Sequence, residues 1–380
     1  MPDAPFDVIV VGAGGMGSAA AYELARRGRR VLALDQFPLV HSRGSSHGQT
    51  RIIRRAYYEH PAYVPLVRRA FERWYDLEQQ TGRHLLTECG CLSVGLPDGE
   101  LIAGVHASAR EHGLAVEGLD AKNLSERYPQ FRFSSDDAGV LEQNAGFLYV
   151  EDCVRAHLDA ARILGATIQS EEPVVEWTAN ATSVSVTTSK GTYAAARLVL
   201  AGGPWAGQLL AGHGQYLRVM RQTMLWFGTA DDTRFRRDVF PIYIAEVPEG
   251  HFYGLPVIDG NGHKVARHYG APELMVPEDA RREVVAADEP PVRAFLNAHL
   301  PAVNGPLRHA LTCIYTLTPD RHFVIDRHPD HENVAVAAGF SGHGFKFAPV
   351  VGEILADLAE TGTTPWPIDL FRFGRFGSDV

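Results

Sequence analysis

The chain has 380 residues, 45% of them hydrophobic and 21% charged, with a net charge of −9. That length suits two domains or one discontinuous pair, and the composition is that of an ordinary globular protein. The acidic balance argues against a nucleic-acid surface, no apolar run is long enough for a membrane span, and 4 cysteines are too few for a disulfide framework.

The opening MPDAPFDVIVVGAGG passes directly into a strand, without the basic start and long apolar stretch of a signal peptide, so a cytoplasmic location is expected. Asp7 to Val11 is a short apolar run suited to a strand buried on both faces. GAGGMG follows at once, with Gly12, Gly14 and Gly17 at GxGxxG spacing, then a helical stretch that stops at Gly28. RRVLALD supplies a second strand ending in Asp35. Each piece has a mechanical role in binding a dinucleotide. Gly12 permits the tight turn, Gly14 admits a pyrophosphate to the backbone, and Gly17 lets helix and strand lie close. The helix start offers free N–H groups and partial positive charge, and Asp35 can accept from ribose hydroxyls.

The motif alone does not separate NAD from FAD. Beyond Asp35 no further βαβ unit follows; the chain enters HSRGSSHGQTRIIRRAYYEHP, where His47 and Thr50 precede Arg51, Arg54 and Arg55. Such a loop can wrap a cofactor and present planar guanidinium groups to an anionic substrate. Residues 61–80 read as an amphipathic helix with Leu66, Ala70, Trp74 and Leu77 on one face. The Cys89–Cys91 pair lacks companion ligands and reads as packing. Val154 to Leu164 reads as a helix, Lys190-Gly191 as a hairpin turn, and Leu198 to Ala201 as a buried strand ending in Gly202-Gly203-Pro204-Trp205. The return of a dinucleotide-type pattern after an insertion is more typical of flavin-binding chains than of NAD dehydrogenases.

From Arg218 to His268 the pattern becomes strands with aromatics, read as an antiparallel sheet lining a pocket, with Lys264 and His268 on one face by alternation. LTCIYTLTPDRHFVID then places Cys313 within a strand. Val334 to Ala338 is a buried strand, Gly339, Gly342 and Gly344 form a loop, and Pro349 to Leu358 is a helix whose start can hold an anion. Lys346 stands at that turn, an unfavourable place for a cation unless an anion binds.

Across nearly its whole length the chain resembles the monomeric sarcosine oxidase and N-methyltryptophan oxidase family of FAD-dependent amine oxidases. The resemblance is carried by VGAGGMGSAAAYELARRG, GSSHGQTRIIRRAY, the stretch from Cys313 to Asp326, and GFSGHGFKFAPVVGE. It implies an α/β fold: a Rossmann-like FAD-binding domain (1–82, 146–215 and 311–380) and a discontinuous antiparallel-sheet substrate domain (83–145 and 216–310). It implies FAD bonded through its 8α carbon to the Cys313 sulfur, and cofactor contacts from Gly12, Gly14, Gly17, Asp35, Thr50, Val174, Gly202, Gly342, Gly344 and Lys346. Arg54 and Lys346 are expected to hold a substrate carboxylate, with Tyr253, His268 and Tyr315 lining the substrate cavity. His47, Thr50 and Arg51 are expected beside the flavin ring, and Lys264 where oxygen reacts. No metal is expected. The implied activity is oxidation of a secondary amino acid by O2, in a monomer, with peroxide as product. Alternatives are an oxidase or dehydrogenase of a cyclic imino acid, or a flavin-binding protein without catalysis. Gln49 replaces an acid common in relatives, and Met220, Met224 and Trp226 are expected to shape a larger cavity.

Overall fold

The computed structural model describes residues 6–210 and 212–377. Its first sheet is built on Phe6–Val11, which pairs in parallel with Val31–Leu34 on one side and Thr192–Leu200 on the other. Thr167–Gln169 extends one edge. On the other side His331–Ala338 pairs in parallel with Thr192–Leu200 and antiparallel with Val324–His328. The hairpin of Val174–Ala179 and Val184–Thr188 joins the same sheet through the first half of Thr192–Leu200. Helices Gly15–Arg26, Val64–Thr81, Val150–Ile163 and Ala348–Thr361 contribute to a single apolar core with the central strands. Because those strands are covered on both faces, their sequences are continuous apolar runs rather than alternating ones.

Small residues set the closest approach between helices. A Cβ on Gly352 would lie 2.6 Å from the backbone of Ala19, so the first and last helices pack backbone to backbone. Gly17 is under the same constraint: a Cβ there would fall 1.7 Å from the Gly12 carbonyl oxygen. Gly17→Ala must therefore push the helix off the strand, at a cost of about 1–3 kcal/mol. The expected result is a lower melting temperature and purified protein depleted of FAD, measured as flavin per chain.

The second sheet has nine strands among the described residues and surrounds a core of Phe227, Phe235, Phe240, Tyr243, Phe252 and Phe295. It is antiparallel except where Ile242–Val247 runs parallel to Cys91–Gly95. Leu307–Leu317, the strand of Cys313, belongs here, with Cys313 opposite Gln222 and Tyr315 opposite Met220. The expected boundary at 311 put this segment in the FAD-binding domain; the pairing with Arg218–Phe227 places it in the other sheet. A small sheet of Thr50–Ile53, Leu86–Glu88 and Gly146–Tyr149 accompanies these two. No described helix is long and apolar enough to cross a membrane.

Candidate cofactor and substrate site

A cavity of about 390 Å³ carries both the glycine loop and Lys346 on its wall. At the glycine end, Gly12 has φ +95°, and a Cβ there would meet the Ala201 carbonyl oxygen at 2.4 Å. The helix starts at Gly15, whose N–H donates to Ser46 Oγ at 3.0 Å. Asp35 accepts from the N–H of Ala13 at 2.8 Å and of Phe37 at 3.0 Å, one bond per carboxylate oxygen. Each oxygen keeps a lone pair for a ribose hydroxyl, so Asp35 both shapes the loop and faces the cavity. Val174, Gly202, Gly342 and Gly344 line the same space, together with Glu172. Gly342, at φ +81°, lets the Tyr315 ring approach to where a Cβ would be 2.4 Å away. A side-chain-free cradle at a helix start, with an acid at the next strand end, fits an anionic dinucleotide.

Cys313 is on the cavity wall and only 2% exposed. Arg51 reaches its sulfur at 3.5 Å with one guanidinium nitrogen, which also donates to the Ser45 carbonyl at 3.0 Å. The other nitrogen donates to the Thr50 carbonyl at 2.8 Å. This loop is fixed from outside by Glu151, in the first turn of the helix Val150–Ile163, which accepts from the N–H groups of Gly48 at 2.7 Å and Gln49 at 3.1 Å. That helix starts earlier than its apolar periodicity suggested, and the added turn supplies the anchor.

Arg54 and Lys346 both line the cavity, with Glu59 beside them. Arg54 donates to Glu59 at 2.6 Å and to the Ala56 carbonyl at 2.9 Å, and its guanidinium lies 4.3 Å from the Tyr57 ring centre. Burial alone would raise the Glu59 pKa, but Arg54, then His343 and Lys346, hold it down at about 2. Lys346 donates to the His343 carbonyl at 2.6 Å and to the Tyr57 hydroxyl at 3.3 Å. Burial and the Arg54 charge push its pKa down to about 7, against the pull of Glu59. Glu59 was not among the sequence-predicted residues. Its only sequence signal is an acid closely following a run of arginines, which any surface loop can show.

Lys264 is 1% exposed and is not on the wall of this cavity, nor are His47, Thr50 and Gly17. Lys264 Nζ is held by the carbonyls of Gly48 at 2.8 Å and Thr50 at 3.0 Å and by the Thr50 hydroxyl at 3.3 Å. Burial, then Arg51, drives its pKa well down. His47 is 2% exposed, and neither ring nitrogen has a partner among the described residues. Burial holds its pKa near 3, so the ring is neutral.

Tyr253, His268 and Tyr315 do come together on the wall, with His268 Nδ1 3.2 Å from the Tyr315 hydroxyl. Burial lowers the His268 pKa to about 3. Ile52, Tyr58 and Ile244 complete this end. Met220, Met224 and Trp226 are not part of the wall, contrary to expectation. Met224 and Trp226 pack with Cys313 and Ala266, and Met220 with Tyr315 and Leu317, all beneath the surface of the site. Elsewhere, donor atoms of His213, His328 and Asp330 lie within 4.8 Å of one another. His328 Nδ1 accepts from the Asp330 N–H at 3.2 Å and His213 pairs with the Asp330 carboxylate at 2.8 Å, while His328 Nε2 is buried without a partner among the described residues.

With this geometry in view, the comparisons with known proteins are informative. Residues 7–358 match the family model described as FAD dependent oxidoreductase, DAO. A monomeric sarcosine oxidase of Streptomyces avermitilis is 46% identical over 371 residues, 96% of each chain. An N-methyl-L-tryptophan oxidase of Salmonella typhi is 36% identical, covering 98% of this chain and 99% of its own. Among solved structures, the open form of NikD, described as an unusual amino acid oxidase essential for nikkomycin biosynthesis, superposes with a TM-score of 0.85 at 28% identity, covering 97% of both chains. A glycine cradle, a buried dinucleotide strand core and a match of this length lead to one conclusion: the chain belongs to the DAO family of FAD-dependent oxidoreductases.

Proposed function

We propose that the protein oxidises the C–N bond of a secondary, N-methyl amino acid to an imine, which water hydrolyses to an aldehyde and a primary amine, with O2 as the final acceptor and hydrogen peroxide as its product. The observation that carries this reading is the convergence of Arg54 and Lys346 on the wall of the cavity that also holds the glycine cradle and Cys313. The similarity to a monomeric sarcosine oxidase and an N-methyl-L-tryptophan oxidase supports the same substrate class.

Bound FAD supplies the two-electron acceptor for the amine and, in turn, the reductant for oxygen. The chain's own residues do the positioning. Arg54 and Lys346 hold the substrate carboxylate, which removes rotational freedom and sets the α-nitrogen against the cofactor. Tyr253, Tyr315 and neutral His268 form a buried wall with no anion to pair with an ammonium, so the amine binds there as the uncharged base that oxidation requires. Cys313 carries the flavin through its sulfur, with Arg51 and neutral His47 at the attachment point. Lys264 stabilises negative charge as it develops on oxygen. The protein acts as a monomer.

The test is a panel of N-methyl and cyclic amino acids offered to the holoenzyme under air with peroxide detection. One peroxide per N-methyl substrate consumed is expected. Oxidation of cyclic imino acids alone, or turnover only with an artificial electron carrier, would overturn the reading.

A pH dependence follows from Lys346. Its pKa of about 7 means that it is charged below pH 7 and loses its proton above. A bound carboxylate favours the charged form, so above pH 7 binding must take up a proton. The Kd of a small carboxylate that lacks an amine is expected to be flat below pH 7. Above it, Kd rises by up to about tenfold per unit. Lys346→Met should remove this slope and weaken binding at pH 6 by about 30-fold or more.

A further inference from the structure

One buried residue beside the carboxylate-binding cations has no part in the scheme above. Tyr57 is fully buried and does not line the cavity; its neighbour Tyr58 does. Yet its ring lies 4.3 Å from the Arg54 guanidinium and 5.1 Å from Lys346 Nζ, and its hydroxyl touches both His343 and Lys346.

The direction of every bond in this group follows from a backbone atom. His343 Nε2 lies 3.1 Å from the Arg321 carbonyl oxygen, which can only accept, so Nε2 carries the proton. In the neutral ring Nδ1 is then an acceptor. The Tyr57 hydroxyl, 2.6 Å from Nδ1, must donate to it. With its one proton committed, the Tyr57 oxygen can only accept from Lys346 Nζ at 3.3 Å. The His343 carbonyl takes a second Lys346 N–H at 2.6 Å. Two of the three ammonium donors are thereby assigned, and one remains for a ligand.

We propose that Tyr57 is a positioning residue: a one-way relay from the Arg321 carbonyl through His343 and Tyr57 orients the Lys346 ammonium so that its third N–H is left for the substrate carboxylate. This rests on the proposed role of Lys346. The charged and titratable groups around Lys346 are Arg51, Arg54, Tyr57 and Glu59 on the preceding segment, Cys91 on its strand, His268 on the antiparallel sheet, and His343 on the same loop. His343 is held neutral by burial, its pKa near 4, so the relay keeps one direction at neutral pH.

The test uses FAD-loaded protein and a small carboxylate without an amine, with Kd read from the flavin absorbance change between pH 5.5 and 9. Tyr57→Phe deletes an acceptor for the ammonium and leaves the ring in place. Its Kd profile should break about one pH unit lower than wild type, the size expected for one hydrogen bond to a charged group. A weaker Kd at every pH with an unmoved break would make Tyr57 merely structural and overturn the proposal. Should Tyr57→Phe not fold, Tyr57→Met removes the same acceptor while keeping an apolar side chain and must give the same acid shift, whereas His343→Phe would leave the His343 backbone carbonyl, 3.2 Å from the hydroxyl, as a substitute acceptor; an unmoved break in Tyr57→Met also overturns the proposal. Lys346→Met separates the two readings. A sloping, wild-type profile in that variant means that the carboxylate role of Lys346 fails, whereas a flat one with an unmoved Tyr57→Phe break means that only the relay fails.

Discussion

Cys313→Ser protein is expected to release its flavin on acid precipitation, whereas wild-type protein carries the colour into the pellet. Acid unfolds the chain and abolishes every hydrogen bond and ionic contact to a dinucleotide, but it leaves a thioether intact. Nearly all of the flavin should therefore change fraction with this one substitution. Serine is nearly isosteric with cysteine, and its hydroxyl fits where the thiol packs against Met224, Trp226 and Ala266, so folding should survive. What it lacks is a sulfur nucleophile. The Arg51 guanidinium stands 3.5 Å from that sulfur and helps fix its position on the cavity wall. Arg51→Ala is accordingly expected to slow attachment without removing the nucleophile. Wild-type flavin recovered in the supernatant would reduce Cys313 to a packing residue.

Lys264→Met should slow the reaction with oxygen by about 10²–10³-fold, in line with loss of a single charge-stabilising donor at a reacting centre. Reduction of the flavin by substrate should change by less than about tenfold. Stopped-flow measurement of the two half-reactions separates these rates. The first electron delivered to oxygen creates superoxide, so a cation at that point acts on the transition state and not on substrate binding. The geometry adds a condition. Two carbonyls and a hydroxyl already engage the amine, and burial with the Arg51 charge drives the Lys264 pKa well down. The ammonium form is the catalytic one, so the oxygen rate should fall as pH rises through the lysine's own titration. The substitution must also abolish that fall. Equal losses in both half-reactions would show that Lys264 acts only by holding the Gly48–Thr50 loop.

The dinucleotide end of the site was legible because it is local. Gly12, Gly14, Gly17 and Asp35 lie on one strand–turn–helix–strand unit, and the distances that make Gly17 a glycine are set within it. Arg54 and Lys346 were legible as cations in unlikely surroundings. Their management was not. Glu59, Tyr57 and Glu151 act across chain crossings that leave no periodicity, and a carboxylate near arginines looks the same whether solvated or buried. The reading of Met224 and Trp226 as cavity walls failed for a related reason. These side chains share the face of Cys313 and Tyr315, which do line the cavity, but are buried against their neighbours; alternation along a strand says which side chains share a face, not which of them reach the open space. The sheet that holds Cys313 is not legible in the sequence because the register of Leu307–Leu317 is fixed by Arg218–Phe227, a partner remote in sequence.

That register has a consequence for how the protein is made. The dinucleotide cradle is complete in its first βαβ elements only when Thr192–Leu200 has joined Phe6–Val11, and Cys313 is presented only when its strand has docked on Arg218–Phe227. The cysteine emerges from the ribosome after both partners. A nascent chain can therefore gather the nucleotide early, but the sulfur is in place only once its strand has docked. With Cys313 as the proposed attachment point, linkage of the flavin would mark chains whose two sheets have assembled, and a truncated or misregistered product would stay unmarked.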